Sequence, residues 1–125
     1  MPELTILNHY RLHDTAAHFT AAIAALAARV ESSGEPGVLS YRFFVSEAVP
    51  VAHAVIDYAT PQAWIGHHDR SMLWPEMQAL HRVATLDEVT FLGPLTEDIQ
   101  AWLAKSSLRA KVHSGFTLAA GFRRT

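Results

Sequence analysis

Residues Leu4 to Leu12 alternate, with Leu4, Ile6, Asn8, Tyr10 and Leu12 on one face and Thr5, Leu7, His9 and Arg11 on the other. A period of two predicts a strand. The pattern then changes. Asp14 or Thr15 can cap a helix, and Phe19, Ile23, Leu26 and Val30 recur behind them at helical spacing. Alanines fill much of the rest and favour close packing, and Gly34 is placed to end the helix in a left-handed cap. GVLSYRFFVS and VAHAVIDYA are rich in β-branched and aromatic residues and are joined by a short link. They predict an antiparallel hairpin.

Pro61 opens a helical stretch, PQAWIGHHDRS, expected to be interrupted near Gly66 or after Ser71. Pro75 opens a second piece, in which Met77 and Leu80 make an apolar stripe. LDEVTFLGP predicts a fourth strand, and TEDIQAWLAKSS a short amphipathic helix carrying Ile99, Trp102 and Leu103 on one side. Phe116, Leu118, Ala120 and Phe122 alternate, which predicts a last strand or arm over Gly115–Phe122. The order is β-α-β-β-α-β followed by a helix and a strand. The first six elements match the split βαβ arrangement of an α+β, ferredoxin-like domain spanning residues 1–125. Its antiparallel sheet carries helices on one face. A second copy on the other face would make a homodimer, and 50% hydrophobic composition suits such an interface.

Composition narrows the chemistry. A formal net charge of -2 leaves no basic surplus for phosphates, so nucleic-acid binding is not expected. Without cysteine, thiolate metal sites and cysteine nucleophiles are excluded. No apolar run reaches the length of a membrane span, and the N-terminus shows no signal-peptide pattern, so a cytoplasmic location is expected. Eight histidines raise the question of metal, but no HExxH motif or HxH strand pair is present and no metal site is expected. GxSxG, P-loop and GxGxxG motifs are also missing.

Asn8 interrupts an otherwise apolar strand face. A buried amide must find partners, either in a neighbouring strand or in a ligand. Trp64 lies three and four residues before His67 and His68, so it shares a helix face with either, while the two imidazoles diverge by about 100°. One of them is expected to face a cavity and the other solvent. The cavity histidine could exchange protons near neutrality. His81 follows Met77 by four residues and Trp74 by seven, and Tyr10, Tyr41 and Tyr58 carry phenols. The plain alternative for all of these is core packing with satisfied polar ends.

The element order, the strand PGVLSYRFFVS after an alanine-rich helix, and the stretch AVIDYATPQAWIGHHDRSMLWPEM resemble the antibiotic biosynthesis monooxygenase superfamily of dimeric α/β barrels. The likeness covers roughly Leu4 to Pro94. It implies a homodimer binding a small aromatic or polyketide-like molecule between sheet and helices, with cofactor-independent monooxygenation as the reaction. Asn8, Trp64 and His68 are the implied catalytic residues, and Tyr10, Tyr41, His67, Trp74 and His81 the ligand contacts. Haem-degrading relatives use an asparagine, a tryptophan and a histidine, which adds haem as an alternative. A non-catalytic binding or structural dimer is the remaining reading.

Overall fold

The computed structural model describes residues 3–124. Strands β1 (Leu4–Leu12), β2 (Val38–Val45), β3 (Val51–Tyr58), β4 (Ala84–Leu92) and β5 (Lys111–Phe116) form one sheet in the order β2-β3-β1-β4-β5. The first four are antiparallel, and β5 adds in parallel to the edge of β4. Helices α1 (Ala16–Ser33), α2 (Pro61–Ser71), α3 (Pro75–Val83) and α4 (Glu97–Lys105) complete the chain. This is the α+β, ferredoxin-like architecture expected from the sequence, extended by one helix and one strand. Among the described residues, no helix is long and apolar enough to cross a membrane.

The alternation in β1 decides what is buried. Leu4, Ile6, Tyr10 and Leu12 join Ala52, Ala54, Ile56 and Tyr58 of β3 and Val89 and Phe91 of β4 in the core. The α1 stripe of Phe19, Ile23, Leu26 and Val30 packs onto them. Thr15 caps α1 by accepting a bond from the His18 amide, while Asp14 accepts from Thr15 N–H and from the His18 ring. Gly34 does end α1, but in extended rather than left-handed backbone. Its glycine is explained by space, since a Cβ there would lie 2.6 Å from the Val30 carbonyl oxygen.

Gly66 does not interrupt α2. The helix runs on to Ser71, and the missing side chain makes room for Glu35, whose Oε1 lies 2.2 Å from where a Cβ would be. The last strand also departs from expectation. It spans Lys111–Phe116 rather than Gly115–Phe122. Glu88 fixes its register by standing opposite Lys111 and accepting a 2.8 Å bond from the His113 ring. Leu118 and Phe122 are 86% and 83% exposed, so their alternation has no sheet to pack on.

The helix-free sheet face carries Leu7, His9, Phe44, His53, Glu88, Leu92 and Phe116. Leu7, Phe44, Leu92 and Phe116 are 38%, 53%, 37% and 50% exposed. Register settles the choice between Val55 and Ile56: Val55 pairs with Leu7 on this open face, and Ile56 lies in the core.

Candidate active site

Between the helix-covered sheet face and α2, α3 and α4 lies a cavity of about 350 Å³. β1 contributes Ile6, Asn8 and Tyr10 to it, β2 contributes Tyr41, and β3 contributes Ile56 and Tyr58. Trp64, His67 and His68 come from α2. Met77 and His81 come from α3. The far wall is Trp102 and the segment Ser106–Arg109 between α4 and β5. Most of the lining is aromatic or aliphatic, with a few polar groups converging, as expected of a small-molecule site.

Asn8 lines this cavity and donates from Nδ2 to the Tyr10 hydroxyl at 3.3 Å. Its Oδ1 is buried and has no partner among the described residues. Leaving a buried acceptor unpaired costs about 1–3 kcal/mol. Burial pushes the Tyr10 phenol up to about 12, an effect that the Asn8 bond partly offsets. Burial also raises Tyr41 and Tyr58 well above the ordinary phenol value, helped by their mutual proximity to Tyr10. All three phenols are therefore neutral donors at physiological pH.

His67 and His68 do not divide between cavity and solvent as helical geometry alone suggested. Both line the cavity, because α4 closes over α2 on the side where solvent would otherwise be. Two contacts hold α4 there. Trp102 Nε1 donates to Asp69 at 2.7 Å, and Gln62 donates to Asp98 at 2.8 Å. Trp64 stacks on His68 with ring centroids 4.0 Å apart, and Trp102 meets both rings near edge-on at 5.1 and 5.3 Å.

His68 Nδ1 lies 2.7 Å from the Trp64 carbonyl oxygen. A carbonyl only accepts, so Nδ1 carries the proton and Nε2 presents its lone pair. Nε2 has no protein partner and is not sealed from solvent among the described residues. Burial pushes the His68 imidazole down to about 4, against smaller upward effects of the Trp64 bond and Asp69. Burial, aided by the His68 neighbour, pushes His67 down to about 3, and its Nδ1 is buried without a partner. Tyr41 and Tyr58 flank the His67 ring at 5.4 and 6.0 Å. Two neutral imidazoles thus sit side by side in an aromatic enclosure. His81 stands at the exposed rim, its pKa also lowered by desolvation.

Trp74 is not part of this group. It caps the start of α3, and its ring lies under the Arg29 guanidinium at 4.2 Å, while Arg29 also binds Glu76 at 2.8 Å. The seven-residue spacing to His81 therefore does not bring the two to one cavity. The fixed φ of Pro75 begins the helix just after Trp74, which points to α1 instead. Trp102 and Arg109 join the site without a local signal in the sequence. Their distance along the chain hides the contact, although the Trp102 position in the amphipathic pattern marked it as inward-facing.

No protein-family profile matches the sequence, and no curated protein does. Solved structures do resemble the fold. MupZ from Pseudomonas fluorescens superposes with a TM-score of 0.67 at 21% identity, over 99% of this chain and 96% of its own. SnoaB, a cofactor-independent oxygenase from Streptomyces nogalater, gives 0.64 at 18% identity over 77% of this chain and 96% of its own. A candidate antibiotic biosynthesis monooxygenase from Caulobacter crescentus gives 0.63 at 20% identity, over 76% and 92%. The likeness first read in the Leu4–Pro94 stretch therefore holds at the level of architecture, and the chain has the fold of the antibiotic biosynthesis monooxygenase-like proteins.

Proposed function

We propose that the protein is a cofactor-independent monooxygenase of small, electron-rich aromatic molecules. The observation that carries this reading is the His68 Nε2 lone pair, held free by the Nδ1 bond and open to an aromatic cavity beside Asn8. The ring of a phenolic substrate would fill the chamber beside His68, whose own ring is backed by Trp64. His68 takes the phenolic proton, and the phenolate gives one electron to dioxygen. The resulting radicals combine into a carbon-bound peroxide anion, which takes the proton back from His68, and the hydroperoxide so formed loses water to leave a new carbonyl. Naphthohydroquinone plus dioxygen thus becomes hydroxynaphthoquinone plus water. Asn8 supports the developing peroxide with its second amide hydrogen. The occurrence of this fold in a cofactor-independent oxygenase favours the same class of reaction.

Haem fits the cavity poorly. About 350 Å³ is near the lower end for ligand pockets and suits two or three fused rings better than a porphyrin. The histidine rings are also packed against Trp64, Trp102 and Tyr41. The experiment is turnover of naphthohydroquinone under isotopically heavy dioxygen, followed by mass spectrometry. One heavy oxygen in the hydroxynaphthoquinone, without hydrogen peroxide, is the expected result. Added haemin should leave both the rate and its own Soret band unchanged. Unlabelled product formed with hydrogen peroxide, as in plain autoxidation, would overturn the proposal.

Two copies of the chain pairing through the open sheet face complete the reading. Leu7, Phe44, Leu92 and Phe116 expose apolar surface there, and burying it is favourable by roughly 25 cal/mol per Å². A standard interface takes about 800 Å² from each partner, comparable with one face of a small sheet. Light scattering at micromolar concentration should give about twice the 13.8 kDa chain mass. A monomer under those conditions would defeat this part.

A further inference from the structure

Charge is distributed unevenly around the cavity. Its polar lining consists of Asn8, three tyrosines, Thr85, Ser106, Ser107, three histidines and Arg109. No carboxylate is among the lining residues. Burial disfavours the charged form of His67, His68 and His81. A guanidinium stays charged in any protein environment. Arg109 is therefore the one permanent charge on the wall among the described residues.

Arg109 takes part in no ion pair among the described residues. Its Nη1 donates to the Ser107 carbonyl oxygen at 3.2 Å, which holds the side chain along the Ser106–Arg109 segment. The remaining N–H groups have no acceptor among the described residues. The Ser106 hydroxyl is occupied, donating to Leu103 O at 2.8 Å and accepting from Leu108 N. The Ser107 hydroxyl makes no bond to protein among the described residues. A planar fork of donors and one free hydroxyl thus stand at the exposed rim of an aromatic chamber.

We infer that Arg109 selects ligands that carry a carboxylate on the aromatic ring system, the rings filling the chamber and the carboxylate meeting the guanidinium at its rim. Arginine matches a carboxylate with two parallel, charge-assisted bonds, which a neutral ester cannot form equally well. Exposure tempers the gain, because water already solvates the guanidinium. The effect expected is therefore about tenfold in affinity. Arg109 touches no reacting atom in this arrangement. It determines which substrate is held, and the inference rests on the chamber being a ligand site, not on the oxygenation itself.

The test is calorimetric titration of the intact protein, under argon, with hydroxynaphthoic acid and with its methyl ester. The acid should bind about tenfold more tightly than the ester. Arg109→Ala should bring the acid down to the level of the ester while leaving the ester unchanged, and Arg109→Lys should fall between. Added salt should weaken the acid alone. Equal binding of acid and ester to the unaltered protein would overturn the inference. So would an Arg109→Ala variant that weakens both alike, which is what a merely structural role gives. Binding of neither would remove the chamber as a ligand site and this inference with it. A clear acid preference without heavy-oxygen incorporation would instead keep the inference and defeat the oxygenase reading.

Discussion

Replacing His68 by alanine should lower kcat on naphthohydroquinone by 10²- to 10⁴-fold, the range over which a positioned general base usually acts. Magnitudes show why the base must be close to its substrate. A phenol near pKa 10 facing an imidazole at about 4 leaves a gap of roughly 6 units, or about 8 kcal/mol. The low imidazole value describes a cation formed alone in an aromatic enclosure. Proton transfer from substrate forms a cation and an anion together, and a pair 4 Å apart recovers about 4 kcal/mol at an effective dielectric constant near 20. The rest must come from the acidity of the substrate. Rates across a series of naphthohydroquinones should therefore rise as the phenol becomes more acidic. His68→Ala should flatten that dependence as well as lower the rate. Hydroxynaphthoic acid binding separates this from simple collapse of the site, since the variant should still bind it. A variant retaining more than a tenth of the rate would transfer the role elsewhere, first to His67, whose lower pKa makes it a weaker base.

Mild acid should destabilise the fold well above the range in which carboxylates titrate. His67 and His68 have folded pKa values of about 3 and about 4, against 6.5 for an unperturbed imidazole. Below pH 6.5 the unfolded chain binds protons that the folded chain refuses, so stability falls as pH falls from 6.5 toward those values. Between pH 6.5 and 5 each histidine accounts for roughly 2 kcal/mol, a substantial part of the 5–15 kcal/mol typical of a domain. Together they should lower Tm by roughly 10–20 °C. Asp14, Glu76 and Glu88 have lowered pKa values through their His18, Arg29 and His113 partners. Their contribution is present above the unfolded carboxylate range and disappears only as pH drops below it. Thermal melts at pH 7, 6 and 5 separate the two effects. A His67→Phe, His68→Gln variant should lose most of the slope above pH 5. A Tm that stays level from pH 7 to 5 in the unaltered protein would contradict the buried neutral assignment.

Much of this arrangement could be read from the residues. Period two put Asn8 among core side chains because a strand leaves only two choices of face, and the flanking Ile6 and Tyr10 fix which one is buried. Helical spacing grouped Trp64 with the two histidines. It failed on where the second imidazole points, because that depends on a wall distant along the chain, set by the contact of Trp102 with Asp69, 33 residues before it. Trp74 shows the opposite limit: its local spacing to His81 suggests shared lining, while a long-range contact with Arg29 takes the ring elsewhere. β5 was misplaced because KVHSGF is a polar edge strand. Its register is fixed by Glu88 rather than by alternating apolar residues.

The cavity has walls of two different origins. Asn8, Tyr41, Trp64 and the histidines belong to the βαββαβ unit, where their backbone is locked by sheet pairing and core packing. Trp102 and Ser106–Arg109 belong to the appended helix and its connection to β5, which give the core Ile99 and, partly buried against it, Trp102, Leu103 and Ala110. Substitutions in that connection carry a small folding penalty, so ligand preference can drift there while the groups assigned to proton transfer stay fixed.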